Sequence, residues 1–130
     1  KSTQKIIMTC DAAGWAGCPP GIYENKLGRS ELLESGKLVV AGQRELLAGS
    51  AQITDTCVVN AIKFAGVSLK EAVDMASRNP AKLLGFEVTR LRRGSLADLM
   101  LFHISQDQTR LNVEATFASG ELKWGQIVDR

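Results

Sequence analysis

Lys5-Ile6-Ile7-Met8-Thr9-Cys10, followed at once by Asp11-Ala12-Ala13-Gly14, is the stretch from which the fold is read. Its apolar run lacks the alternation of a half-wet strand, which predicts a parallel strand covered on both faces. The run breaks at an acid followed by small residues. A carboxylate at the C-terminal tip of a buried strand stands where α/β barrels carry their chemistry. The same Asp11 also suits a plain turn, because an aspartate side chain caps turns readily. Cys10, its neighbour, is expected to point to the opposite face if the strand continues. Locally, both roles of Asp11 stay open.

Around this stretch the composition is that of an ordinary soluble globular domain. The 130 residues are 45% hydrophobic and 23% charged, enough for one domain with a real core. Sixteen basic and 14 acidic residues leave a net charge of +2, with no basic stripe to suggest nucleic acid as partner. Only Arg90, Arg92 and Arg93 cluster, which reads as a solvated edge. No apolar run approaches the roughly 18 residues that span a bilayer, and no leader pattern opens the chain. A cytoplasmic protein without membrane partners is expected. Cys10, Cys18 and Cys57 are odd in number, and the Cys10–Cys18 spacing matches no common zinc module. They read as reduced, partly buried thiols. The single histidine, His103, reads as a strand-end surface residue with no second histidine or acidic partner beside it. Because Lys1 leads almost directly into a buried-looking strand, the chain is expected to be a piece of something larger.

Along the chain, Ala12 to Pro20 forms a loop of small residues that can approach a ligand closely. Gly21-Ile22-Tyr23 begins a short extended segment. Glu31 to Val40 reads as a hairpin turning at Ser35-Gly36. Gly42 to Gly49 is expected to be a second loop, running into Leu47-Ala48-Gly49-Ser50. Val58, Ile62 and Ala65 recur at helical spacing, with Gly66 placed to end the helix. Ser68-Leu69-Lys70-Glu71 is a capping box, and Leu69, Ala72, Val73 and Ala76 form the apolar face of the helix it opens. Asn79-Pro80 predicts another helix, with Asn79 as its cap and Gly85 as its stop. From Val88 the pattern turns to β. Leu99 to Phe102 reads as a buried run, and Leu111 to Phe117 with Glu121 to Trp124 as a hairpin turning at Ser119-Gly120. The shift near residue 86 marks the expected boundary, giving segments 1–85 and 86–130.

Three blocks in order carry a family. The first is Thr9-Cys10-Asp11-Ala12 with its loop and Gly21-Ile22-Tyr23; the second is Leu47-Ala48-Gly49-Ser50 followed by a helix. The third runs through Ser68-Leu69-Lys70-Glu71-Ala72-Val73, Met75-Ala76-Ser77, Asn79-Pro80-Ala81-Lys82-Leu83-Leu84-Gly85, Leu91, Gly94 and Ala97-Asp98-Leu99. Together they resemble the C-terminal third of N-acetylglucosamine-6-phosphate deacetylases, in the metal-dependent amidohydrolase superfamily. The Asn-Pro-Ala-Lys and Ala-Asp-Leu pieces are shared with hydantoinases and dihydroorotases. The strand-end Asp with its loop and the Leu-Ala-Gly-Ser segment point to the deacetylase branch. Two departures stand out: Cys10 lies between a Thr and an Asp that are usually adjacent, and Trp15 sits in a loop that usually carries small residues.

The resemblance implies an α/β fold, the C-terminal part of a (β/α)8 TIM barrel with the C-terminal strands of a small β-sandwich. Residues 1–85 would supply the last barrel strand, a hairpin insert and the last helices, and residues 86–130 the sandwich strands. It implies hydrolysis of the acetamide of N-acetylglucosamine 6-phosphate, with Asp11 as the catalytic acid and base. Leu47, Ala48, Gly49 and Ser50 would line the sugar. A divalent metal, zinc or iron, would be held by ligands outside this chain, with none in this segment. The segment alone is therefore expected to be inactive. No glycine-rich phosphate cradle appears. The family implies a homodimer acting on a small amino-sugar phosphate. A hydantoinase-like or dihydroorotase-like amidohydrolase and a non-catalytic structural fragment are the competing readings, which the sequence upstream of Lys1 would separate.

Overall fold

In the computed structural model, residues 2–88 and 91–127 are described. Lys1, and Arg90 of the basic cluster, lie outside the described residues. The chain divides into two compact units: Thr9–Cys57, and the residues on either side of it, up to Met8 and from Val58 onward. Each follows from its own sequence.

The Thr9–Cys57 unit is built on a four-stranded antiparallel sheet in sequential order: β1 (Gly21–Asn25), β2 (Gly28–Leu32), β3 (Leu38–Val40) and β4 (Gln43–Leu47). The Ser35-Gly36 turn lies where expected. Leu32 faces Leu38 across it, and Gly36 takes the positive φ of 80° that the reversal requires. Leu32, Leu38 and Val39 are the buried side chains that hold the sheet together. The expected loop from Gly42 to Gly49 is instead largely β4, paired to β3 through Val39–Leu47 and Val40–Gln43 with a register shift between them. All five residues of β4 are exposed, so no apolar alternation announced it. It is held by the backbone ladder and by the forked ion pair of Arg44 with Glu31, whose shorter arm is 2.6 Å. That guanidinium keeps the Glu31 carboxyl below its usual titration range.

In the second unit the predicted opening strand is corrected. Thr3–Lys5 is a single 3-10 turn, and residues 6–10 join no sheet, leaving Ile6 and Ile7 about two-fifths exposed. The physical reason is that a parallel strand exists only through its neighbours' hydrogen bonds, and no strand pairs with these residues among those described. The Met8 N–H donates to the Met75 carbonyl (2.8 Å).

Helix α1 (Thr54–Ala65) ends as expected at Gly66, φ 65°. Helix α2 (Leu69–Ala76) opens on the predicted capping box: the Ser68 hydroxyl accepts from the Glu71 N–H, and the Glu71 carboxylate accepts from the Ser68 N–H at 2.9 Å. Ala72 and Met75 are its buried residues, joining Val58, Val59 and Leu111 in one core. Leu69 is exposed and Val73 and Ala76 are half-buried, so the buried stripe is rotated toward Met75. Helix α3 (Arg78–Leu83) starts two residues earlier than predicted, after Ser77. Asn79 is not its cap. The Asn79 side chain is 93% buried, and its amide donates to the carbonyls of Thr3 (3.0 Å) and Ile6 (2.7 Å), tying the opening turn down.

The three-stranded antiparallel sheet β5 (Leu99–Ile104), β6 (Leu111–Ala118) and β7 (Glu121–Gly125) turns at Ser119-Gly120 as read. Strand pairing begins only at Leu99. The expected buried run is also corrected, because Leu99, Met100 and Leu101 are each about two-fifths exposed. Apolar composition alone does not say what covers a face.

Glu71 allows a test by pH. It accepts from the Ser68 backbone and hydroxyl and from the Thr3 hydroxyl, which together depress its titration below the ordinary 4.5. A depressed carboxylate contributes stability that is full above its unfolded value and is lost as pH falls through the lower folded value. Stability melts from pH 7 down to about 3 should therefore show an acid-side loss that Glu71→Gln makes shallower. An identical acid limb in that variant would mean the box does not govern it.

Candidate functional site

Asp11 is placed by a backbone device. Its φ is +48°, in the left-handed region that few residues other than glycine enter, though aspartate does so more easily than most. The Asp11 N–H donates to the Thr9 hydroxyl (3.3 Å), closing the turn, and the carboxylate is exposed. Just behind it, the Cys10 thiol accepts a hydrogen bond from the Thr54 hydroxyl at the head of α1 (3.7 Å). Burial, with Cys10 and Asp55 nearby, pushes the Cys57 thiol above its ordinary titration range. Cys10, Cys18 and Cys57 are all free.

Directly after Asp11 the chain meets the second predicted segment. Ala12 and Ser50 form a parallel β-bridge, and the Ala13 N–H donates to the Ser50 carbonyl at 2.7 Å. Gly49 takes φ 125°, a backbone conformation that favours glycine, although a Cβ there would meet Ala13 only at an ordinary contact distance of 3.6 Å. The Ala48 N–H donates to the Leu38 carbonyl, and the Ser50 hydroxyl accepts from the Gln52 N–H. Thus Ala48, Gly49 and Ser50 lie beside the residues that follow Asp11. Leu47 does not join them inward; it ends β4 with 70% of its surface exposed.

Between the 13–15 loop and the sheet of the same unit lies a cleft of about 620 Å³, bordered by Ala13, Trp15, Arg29, Leu38 and Ala48. Trp15 stacks on Tyr23 with ring centroids 4.9 Å apart and planes 18° from parallel, and the Tyr23 hydroxyl donates to the Pro19 carbonyl. Burial and the nearby Cys18 raise the Tyr23 phenol above its ordinary range, so it stays a donor. Arg29 makes no ion pair among the described residues. Sequence reading missed Arg29. The available signal was Asn25 and Gly28, where the Asn25 side chain accepts from the Leu27 N–H (2.8 Å) and turns β1 into β2.

His103 is exposed near the end of β5, as read, but it does have an acidic partner: its Nδ1 is 3.0 Å from the Glu114 carboxylate. Asn112 Nδ2 stands 3.2 Å from Nε2. An amide donating to Nε2 leaves the proton on Nδ1, which then donates to Glu114. Among the described residues no three His, Cys, Asp or Glu side chains gather as metal ligands. No described helix is long and apolar enough to cross a membrane.

The amidohydrolase family model matches residues 5–123. The chain is 33% identical over 123 residues to the N-acetylglucosamine-6-phosphate deacetylase of Rattus norvegicus, covering 93% of this chain and 28% of that protein. It is 31% identical over 121 residues to the N-acetylgalactosamine-6-phosphate deacetylase of an Escherichia coli strain, covering 92% and 30%. Among solved structures, the N-acetylglucosamine-6-phosphate deacetylase of Thermotoga maritima superposes with a TM-score of 0.73 at 28% identity, over 97% of this chain and 33% of that one. The chain spans about three tenths of the length of these curated relatives.

Proposed function

We propose, from the premise that this chain belongs to the amidohydrolase family, that it is the C-terminal segment of an enzyme hydrolysing the acetamide of N-acetylglucosamine 6-phosphate to glucosamine 6-phosphate and acetate. The observation that carries the reading is the Ala12–Ser50 bridge. It joins two segments distant in sequence, one bearing an exposed carboxylate and the other a glycine-opened backbone.

In this reading Asp11 takes a proton from the attacking water as its oxygen adds to the acetamide carbonyl carbon. The protonated Asp11 then returns that proton to nitrogen as the C–N bond breaks. An amine leaves poorly as an anion, so the returned proton is what permits cleavage, and a positioned acid and base contributes on the order of 10²–10⁴ in rate. The backbone at Ala48, Gly49 and Ser50 contacts the sugar. A divalent metal, as the family implies, would draw its ligands from outside this chain; what this chain contributes is proton transfer and substrate contact. Residues 1–85 would form the end of a (β/α)8 barrel and 86–130 sandwich strands, in a cytoplasmic homodimer. The missing neighbours of Ile6 and Ile7 would then be earlier barrel strands.

The test is acetate release by the full-length, metal-replete protein. Turnover of N-acetylglucosamine 6-phosphate with stoichiometric free amine is expected. Preference for the galacto epimer would overturn the sugar assignment. Preference for a hydantoin or dihydroorotate, or no hydrolysis at all, would overturn the reaction.

A further inference from the structure

Trp15 is the only aromatic side chain in the 12–20 loop, and a stacked partner holds it. Its ring stacks on Tyr23, and Tyr23 is itself anchored by its hydroxyl to the Pro19 carbonyl of the same loop. An isolated tryptophan on a loop of small residues would otherwise lose rotamer freedom on meeting a ligand; this one has lost it already, which lowers the cost of binding. The ring borders a cleft whose other walls include Ala13 and Ala48, next to the Ala12–Ser50 bridge, with Leu38 behind. Arg29 borders the same cleft and makes no ion pair among the described residues. An apolar wall bordered by an arginine suits a ligand that joins a ring to an anionic group.

We propose that Trp15 is a substrate-contacting specificity residue, its indole forming a preset wall against the sugar ring of an amino-sugar phosphate, with Tyr23 as the positioning residue behind it. The proposal rests on the deacetylase reading. Aromatic rings present an apolar surface that ring C–H groups can cover, and preorganisation by an offset stack makes that surface available without rearrangement. Because Trp15 touches the ring and not the reacting acetamide in this assignment, its removal weakens substrate binding more than it slows chemistry.

The experiment is steady-state kinetics on the full-length protein with N-acetylglucosamine 6-phosphate, comparing wild type, Trp15→Ala, Trp15→Phe and Tyr23→Ala, each with its Tm. Trp15→Ala is expected to raise KM about tenfold or more with kcat changed by less than about threefold, and Trp15→Phe to recover most of the loss. Tyr23→Ala, which frees the indole, should raise KM in the same direction by a smaller factor. An unchanged KM in Trp15→Ala, with wild type active, would overturn this assignment and leave the deacetylase reading standing. A loss confined to kcat, or a KM rise that Trp15→Phe does not recover, would also overturn it. Should Trp15→Ala fail to fold, the Trp15→Phe and Tyr23→Ala pair decides, since wild-type KM in both would contradict a preset aromatic wall. No turnover by wild type removes the deacetylase reading and this proposal with it.

Discussion

In the full-length protein, Asp11→Asn is expected to cut kcat by about 10²-fold or more with a much smaller change in KM. Asparagine has nearly the same shape and enters the left-handed backbone region as readily as aspartate does. The φ of +48° is therefore retained, and so is the turn closed by the Thr9 hydroxyl. The exposed Asp11 carboxylate accepts no hydrogen bond within the described residues. Its substitution thus leaves no buried group unsatisfied, and Tm should hardly move. What the amide cannot do is take a proton from water and return it to the leaving nitrogen. A near-normal kcat would reduce Asp11 to a turn residue, whereas a parallel fall in Tm and kcat would point to folding instead of proton transfer.

What singled out Asp11 as a candidate was its local setting, a strand-like run ended by an acid and small residues. Its setting in space was not legible there. The run reads as a buried parallel strand, yet Ile6 and Ile7 remain exposed, because burial on two faces is supplied by other segments and not by the run itself. The opposite lesson comes from Ser68 and Glu71. Both halves of the capping box lie within one turn of helix, so the sequence contains every partner the motif needs. The Ser35-Gly36 reversal is legible for the same reason.

Where partners are remote, reading by pattern failed. Asn79 looks like a helix cap, but its amide is used by the carbonyls of Thr3 and Ile6, more than seventy residues away, and the helix begins without it. Strand β4 carries Gln43, Arg44 and Glu45 and shows no burial alternation; only its ladder with β3 and the Arg44–Glu31 pair make it a strand. The cleft follows the same rule. Trp15 was visible as an oddity, while Arg29 gave no signal until the turn at Asn25 and Gly28 set β2 beside the loop.

The largest expected loss of stability is at Ala72, and it tests which face of α2 is buried. Ala72 is completely buried, in contact with the core of Val58, Val59, Met75 and Leu111. A methyl group fits there because a small side chain lets the helix approach its neighbours closely. Ala72→Asp would add volume to a filled site and bury a carboxylate in an apolar core, at a cost of about 3 kcal/mol or more. Ala76, half-buried one turn later, should tolerate the same change better, since water can reach the new carboxylate. Lys70→Gln removes the exposed Lys70–Asp74 pair, 2.6 Å long and at i, i+4, and should cost less than about 0.5 kcal/mol. Urea melts of the three variants in the full-length protein give the order. The expected ranking is Ala72 first, Ala76 second and Lys70 last. If Ala76→Asp costs as much as Ala72→Asp, the buried stripe runs through Ala76 as the periodicity alone suggested, and Met75 would lose its place in the core.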